Sequence, residues 1–165
     1  MRKSLVLLLL IVAAHLMPLP ASAGTSWTYG IPGNGQSGFT ISKTKKTLEI
    51  GSLKLDAKFC DEMSAYLCFE SEGLSFAVPR ALGNKEQSWA RGGQRYTAVP
   101  VRVPLRIFGK TVNVYQIDSI TQNPQMRFFY SKEKGLVVAK VLDEKNKSLL
   151  FLEEACGFGA PRRCH

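Results

Sequence analysis

The stretch from Thr97 to Asp118 declares its own conformation. From Val99 it reads Val99-Pro100-Val101-Arg102-Val103-Pro104-Leu105-Arg106-Ile107, with every odd position apolar and every even one Pro or Arg. Period two marks a strand with one face on a core and the other in water. Pro100 and Pro104 share a parity, so their missing N–H donors fall on one lateral side. A strand lacking two donors on one side is expected at a sheet edge. Phe108-Gly109-Lys110-Thr111 then reads as a tight turn, with Gly109 supplying positive φ, and Val112–Ile117 as the returning partner strand. The stretch predicts antiparallel β architecture with a proline-blunted, arginine-bearing edge.

The N-terminus predicts export. Arg2 and Lys3 precede an apolar run from Leu5 to Leu16, followed by Pro18, Pro20 and Ala21-Ser22-Ala23. A charged start, an apolar run too short to span a bilayer and a small-residue cleavage site read as a signal peptide over 1–23. Cutting after Ala23 is expected to release a chain that starts at Gly24, periplasmic in a Gram-negative host and extracellular otherwise. No later segment reads as a transmembrane span. Residues 24–38, rich in Gly and Ser and without a period, read as a flexible arm on which Trp27 and Tyr29 dock to the body. Residues 39–165 are then a single β-rich domain, long enough to bury a core.

Four cysteines remain after that cut: Cys60, Cys68, Cys156 and Cys164. An even count in an exported chain implies two disulfides. Of three possible connectivities the local one is favoured, Cys60–Cys68 with Cys156–Cys164, because both pairs share one spacing. Each short loop closed this way is worth about 2–3 kcal/mol in the chain-entropy model. A zinc or redox site would need C-x-x-C or Cys/His clustering, and neither motif is present.

Further strands follow from alternation and turn residues. Phe39–Ser42 reads as a short strand. Within Thr47–Phe59, Leu48 and Ile50 fall on one parity, and Leu53, Leu55, Ala57 and Phe59 on the other. The change at Gly51-Ser52 marks a bulge or turn. Tyr66–Glu70 and Leu74–Val78 flank a hairpin at Ser71-Glu72-Gly73; Arg127–Tyr130 and Leu136–Leu142 flank another at Ser131–Gly135. Leu149–Leu152 reads as a last strand, and 157–163 as an irregular basic loop. About nine short strands at meander spacing predict an all-β fold, a small sandwich or a partly closed barrel, stapled by two disulfides.

Catalysis finds little support. With His15 in the signal peptide, the only remaining histidine is the terminal His165, badly placed to serve a Ser–His or Cys–His pair. The spacings Ser42–Lys45 and Ser131–Lys134 sit in turn-like stretches rather than at helix starts. The carboxylate pairs Glu70/Glu72, Asp61/Glu62 and Glu153/Glu154 read as solvated turn positions, and no phosphate- or dinucleotide-binding glycine pattern appears. No enzyme, cofactor or metal is expected.

Recognition is the remaining chemistry. The formal charge of +9 falls to +7 when Arg2 and Lys3 leave, which suits an anionic partner outside the cytoplasm but not nucleic acid; solubility alone also accounts for it. Residues Pro79–Gln94 break the strand pattern and read as one long loop. It carries Arg80, Trp89 and Arg91, with Arg95 just beyond. A tryptophan among arginines beside Gly92-Gly93 has the composition of an interface hot spot; the alternative is that Trp89 folds back to cap a barrel end. Arg102 and Arg106 either extend that basic region or only guard the edge against aggregation. The expected function is therefore a secreted, non-catalytic module that binds another exported protein, such as an inhibitor or immunity protein blocking a hydrolase. The alternative partner is an anionic glycan or lipid surface.

Overall fold

Strands account for every regular element of the computed structural model, which describes residues 26–32, 34–107, 109–142, 148–161 and 164. In chain order they are β1 (Ser26–Ile31), β2 (Asn34–Ser42), β3 (Thr47–Ile50), β4 (Leu53–Phe59), β5 (Tyr66–Ser71), β6 (Phe76–Pro79) and β7 (Gln87–Arg91). There follow β8 (Gln94–Pro100), β9 (Leu105–Ile107), β10 (Lys110–Val112), β11 (Tyr115–Ser119), β12 (Met126–Ser131), β13 (Gly135–Val141) and β14 (Leu149–Leu152). No helix among the described residues is long and apolar enough to cross a membrane. The expected signal peptide over 1–23 and His165 lie outside the described residues.

Twelve strands form one antiparallel sheet in the order β6-β5-β4-β3-β2-β1-β14-β13-β12-β11-β8-β7, while β9 and β10 pair only with each other. The sheet rolls into a nearly closed barrel. First and last strands meet at its middle, Tyr29 opposite Leu152. Side chains cross the gap left between edges β6 and β7. Arg91 Nε lies 3.5 Å from Glu70 Oε1, its guanidinium sits over the Tyr66 ring, and the Gln122 carboxamide bonds the Ser75 backbone. Of the two expected architectures, the structure is the barrel. Both disulfides have the local connectivity, Cys60–Cys68 and Cys156–Cys164. Their presence belongs to an oxidising compartment.

The interior is a packed aromatic core. Phe76 contacts Phe128 edge-on with centroids 5.0 Å apart, and Tyr29 stacks on Phe39 at 4.6 Å. Phe158, from the loop closed by Cys156–Cys164, enters this core against Trp27 and Phe69, both at 5.2 Å. It is held by its backbone. Its N–H donates to the Tyr29 hydroxyl (3.0 Å), its carbonyl accepts from Leu136 N–H (2.9 Å), and Tyr29 donates in turn to the Leu136 carbonyl (2.9 Å). A side chain at Gly157 would collide with that same carbonyl, so the close approach requires glycine. The C-terminal segment is a plug.

Three expectations change. The arm at 24–38 contains β1 and the start of β2, and β1 is central, paired on both sides. Trp27 and Tyr29 alternate inward along it, and a strand with two buried aromatics has more to gain from the sheet than from solution. Second, the long loop at Pro79–Gln94 contains β7, which forms a hairpin with β8. Gly92 and Gly93 both have positive φ (56° and 75°), the requirement of a two-residue turn that follows strand twist. Third, Val99–Ile107 is not one edge strand. β8 ends at Pro100 and lies between β7 and β11, and Val101–Pro104 is irregular. Val101 N–H donates to the Val114 carbonyl, so alternation turns Pro100's nitrogen toward the other side, past the last β7 pairing at Ala98. The missing donor does fall on an open flank, but at a strand's end. The turn at Gly109 is observed, while Val112–Ile117 divides between β10 and β11.

Candidate functional site

Because the sheet is antiparallel throughout, successive connections alternate between the barrel's two ends. One end collects the turn 43–46, the connections 60–65 and 80–86, the β9–β10 ribbon, the turn 132–134 and the segment after β14. Both disulfides are there, so it is called the disulfide end. Contacts between loops respect this division: Lys43 pairs with Glu62 (3.3 Å), and Arg80 Nε donates to the Ser64 carbonyl (2.9 Å). Tyr115 donates to Asn84 (3.1 Å), and Lys132 lies over the Tyr115 ring.

The six expected binding residues do not form one site. Arg80, Arg102 and Arg106 are exposed at the disulfide end, whereas Arg91 and Arg95 are exposed at the opposite end. Trp89 belongs to neither. It lies opposite Tyr96 in the β7–β8 hairpin, stacked at 5.7 Å, and Tyr96 is a core residue. Its indole N–H is buried without a hydrogen-bond partner among the described residues. Trp89 packs half-buried on the core. Burial raises the phenols of Tyr29, Tyr96 and Tyr130 above their ordinary value, Tyr29 despite the opposing bond from Phe158.

Charge separates the two ends. Around the disulfide end, an arc runs from the Lys43–Lys46 turn through the 60–65 and 80–86 connections to the β8–β9 segment. It carries Lys43, Lys45, Lys46, Arg80, Lys85, Arg102 and Arg106 against Asp61, Glu62 and Glu86. Among described residues the opposite end bears Lys54, Arg91, Arg95 and Arg127 against Glu49, Glu70, Glu72 and Asp118, with Arg91 paired to Glu70 and Arg127 to Asp118. Two of the exposed large apolar side chains sit on the basic arc. Met63, inside the Cys60–Cys68 loop, is 96% exposed, and Val103 is 74% exposed between Arg102 and Pro104. The sequence reading missed Met63 and the lysine turn, because only the alternation of connections puts them beside Arg80 and Arg102.

Ser42 Oγ accepts from Lys45 N–H, and Ser131 Oγ from Glu133 and Lys134 N–H, so both serines cap turns. Among the described residues no cluster of three His, Cys, Asp or Glu could hold a metal. Comparisons with known protein families, curated proteins and solved structures return no match.

Proposed function

We propose that the protein is an exported, non-catalytic binding protein that seats its disulfide end on an anionic lipid surface. One observation carries this reading: a cationic arc and two exposed apolar tips, Met63 and Val103, share one end of the barrel. Arginines and lysines draw the arc to headgroup phosphates, at about 1 kcal/mol for each cation near the surface. The two tips add burial of roughly 1.5–3 kcal/mol each in the interfacial layer. Both tips stand on segments tied to the barrel, Met63 by the disulfide and Val103 by the base of the ribbon, so little entropy is lost on docking. The inhibitor reading drew on a long tryptophan loop. Trp89 instead packs half-buried on Tyr96, which lends that reading less support than the basic arc lends the lipid one.

The test is flotation of the oxidised chain with phosphatidylglycerol vesicles and with phosphatidylcholine vesicles across a salt series. Binding only to the anionic vesicles, weakening with salt, is expected. The pair Arg102→Ala and Arg106→Ala should weaken it about tenfold or more, and Met63→Ser with Val103→Ser several-fold. Equal binding to soluble anionic glycan, unaffected by the tip substitutions, would move the reading to glycan. Retention of a single envelope protein at high salt would replace it with a protein partner.

A further inference from the structure

A second feature of the disulfide end is an apolar recess. Between the β9–β10 ribbon and the barrel lies a cavity of about 260 Å³. Its walls are aliphatic: Ile107 and Val112 from the ribbon, Val137 from β13 and Leu152 from β14. Val112, Val137 and Leu152 are among the buried residues of the core, so the cavity is a half-open recess at the core's margin. At about 30 Å³ for each water-sized group, it has room for roughly eight or nine such groups in a row or cluster. The mouth is ionic. Lys110 and Lys134 face it from one side of the charge balance, Glu153 and Glu154 from the other, and Lys134 also reaches Cys164 Sγ at 3.6 Å.

The wall formed by the ribbon is separable from the barrel. β9 and β10 pair only with each other, through Lys110–Ile107, Thr111–Arg106 and Val112–Leu105. The Val101 N–H to Val114 carbonyl bond closes its base. Tilting the ribbon about that base breaks no rung of the barrel's ladder. A two-stranded hairpin is marginal by itself, so its position depends on what its apolar face covers.

We propose that this cavity binds one short aliphatic chain with an uncharged polar head, and that the β9–β10 ribbon is its lid. Four aliphatic walls select the chain, and the volume sets its length near eight carbons. Two ammonium and two carboxylate groups in the lining give no net sign, so the lining favours neither an anionic nor a cationic head, while a hydroxyl can bond to either kind. The site is distinct from the basic arc, and its occupancy does not depend on a membrane.

The test uses the oxidised chain in solution with no vesicles, so its failure is separate from that of the lipid-surface reading. The chain is titrated with 1-octanol, octanoate and octylammonium while methyl NMR signals of Ile107, Val112, Val137 and Leu152 are followed. Saturable one-to-one shifts at those methyls are expected with octanol, at least tenfold tighter than with either charged analogue. Affinity should rise from butanol to octanol and level off beyond it. Val112→Phe, which fills the cavity from the ribbon side, should lower octanol affinity tenfold or more; should that variant fail to fold, the chain-length series on the unaltered protein decides. Shifts that do not saturate, that fall on other methyls, or that show no limit with chain length overturn the site. Equal affinity for the charged analogues overturns the assignment of the head.

Discussion

Replacing Tyr29 by Phe removes one oxygen and leaves the aromatic packing in place. Tyr29 is fully buried, and its ring stacks on Phe39 with or without the hydroxyl. The hydroxyl joins three parts of the chain: β1, which carries it; β13, whose Leu136 carbonyl it donates to at 2.9 Å; and the C-terminal plug, whose Phe158 N–H it accepts at 3.0 Å. Removing it strands two buried backbone groups. Each unsatisfied group costs about 1–3 kcal/mol, partly offset because the variant no longer desolvates a hydroxyl. The expected loss is about 2–4 kcal/mol, or roughly 6–15 °C in Tm for a domain of this size. Urea unfolding of the oxidised protein measures it, with the slope unchanged because the same surface is exposed. Tyr115→Phe is the control, since its single bond to Asn84 is only partly buried and should cost under about 1 kcal/mol. A loss for Tyr29→Phe below about 1 kcal/mol, or equal to the control, would refute the claim that this hydroxyl pins the plug.

Three shorter predictions follow from the same core. Burial raises the Tyr29, Tyr96 and Tyr130 phenols, so the folded state holds protons that the unfolded chain releases near its ordinary value of about 10. Their contribution is complete below that pH and is lost as pH rises toward the folded values. Stability should therefore fall above pH ~10 by up to about 1.4 kcal/mol per pH unit for each phenol; native-state absorbance titration showing all five tyrosines ionising together near 10 would contradict this. Gly157→Ala places a Cβ against the Leu136 carbonyl and should cost about 1–3 kcal/mol, read as a lower urea midpoint. Trp89→Ala should remove about 2 kcal/mol of stability by exposing Tyr96, yet leave vesicle binding unchanged; the reverse pattern would restore Trp89 as a recognition residue.

Local alternation and turn chemistry made much of the fold legible. The parity change at Gly51-Ser52 locates the β3–β4 hairpin because side-chain period and turn geometry agree there. The cysteine spacing likewise indicated both bridges. Composition misleads where strand pairing decides the conformation. Glycine and serine around Gly30 and Gly38 suggested a loose arm, yet the two glycines face each other across β1 and β2, where a Cβ on Gly38 would strike the Tyr29 carbonyl. Close backbone approach, not flexibility, is the use of glycine at that point. At Gly92-Gly93 a two-residue hairpin signal is present, but on the more buried parity of Gln87–Arg91 only Trp89 is apolar, so the sequence carries no apolar alternation to mark the strand.

The binding residues were harder to read for a reason that lies in topology. Arg80, Arg91, Arg95 and Arg102 are near one another in sequence, and proximity in the chain suggests one patch. In an antiparallel meander it means the opposite, since each strand carries the chain from one end of the barrel to the other. Arg80 precedes β7 and Arg91 ends it, so five residues of extended chain at about 3.3 Å each put roughly 16 Å between the two ends of that strand. Arg95 begins β8 and Arg102 follows it, and the chain returns. Residues fall together only when an even number of strands separates them, which is why Lys43–Lys46, Met63, Arg80 and Arg102 share an end despite spanning much of the sequence. Once strand boundaries are known, that parity sorts the charge, and the excess of cations gathers beside the two disulfides. Selection for solubility alone would have no reason to favour one parity of connection over the other. A surface meant to meet an anionic partner would, and the excess of cations at the end that also carries the two most exposed apolar side chains, Met63 and Val103, is the physical ground for proposing the function there.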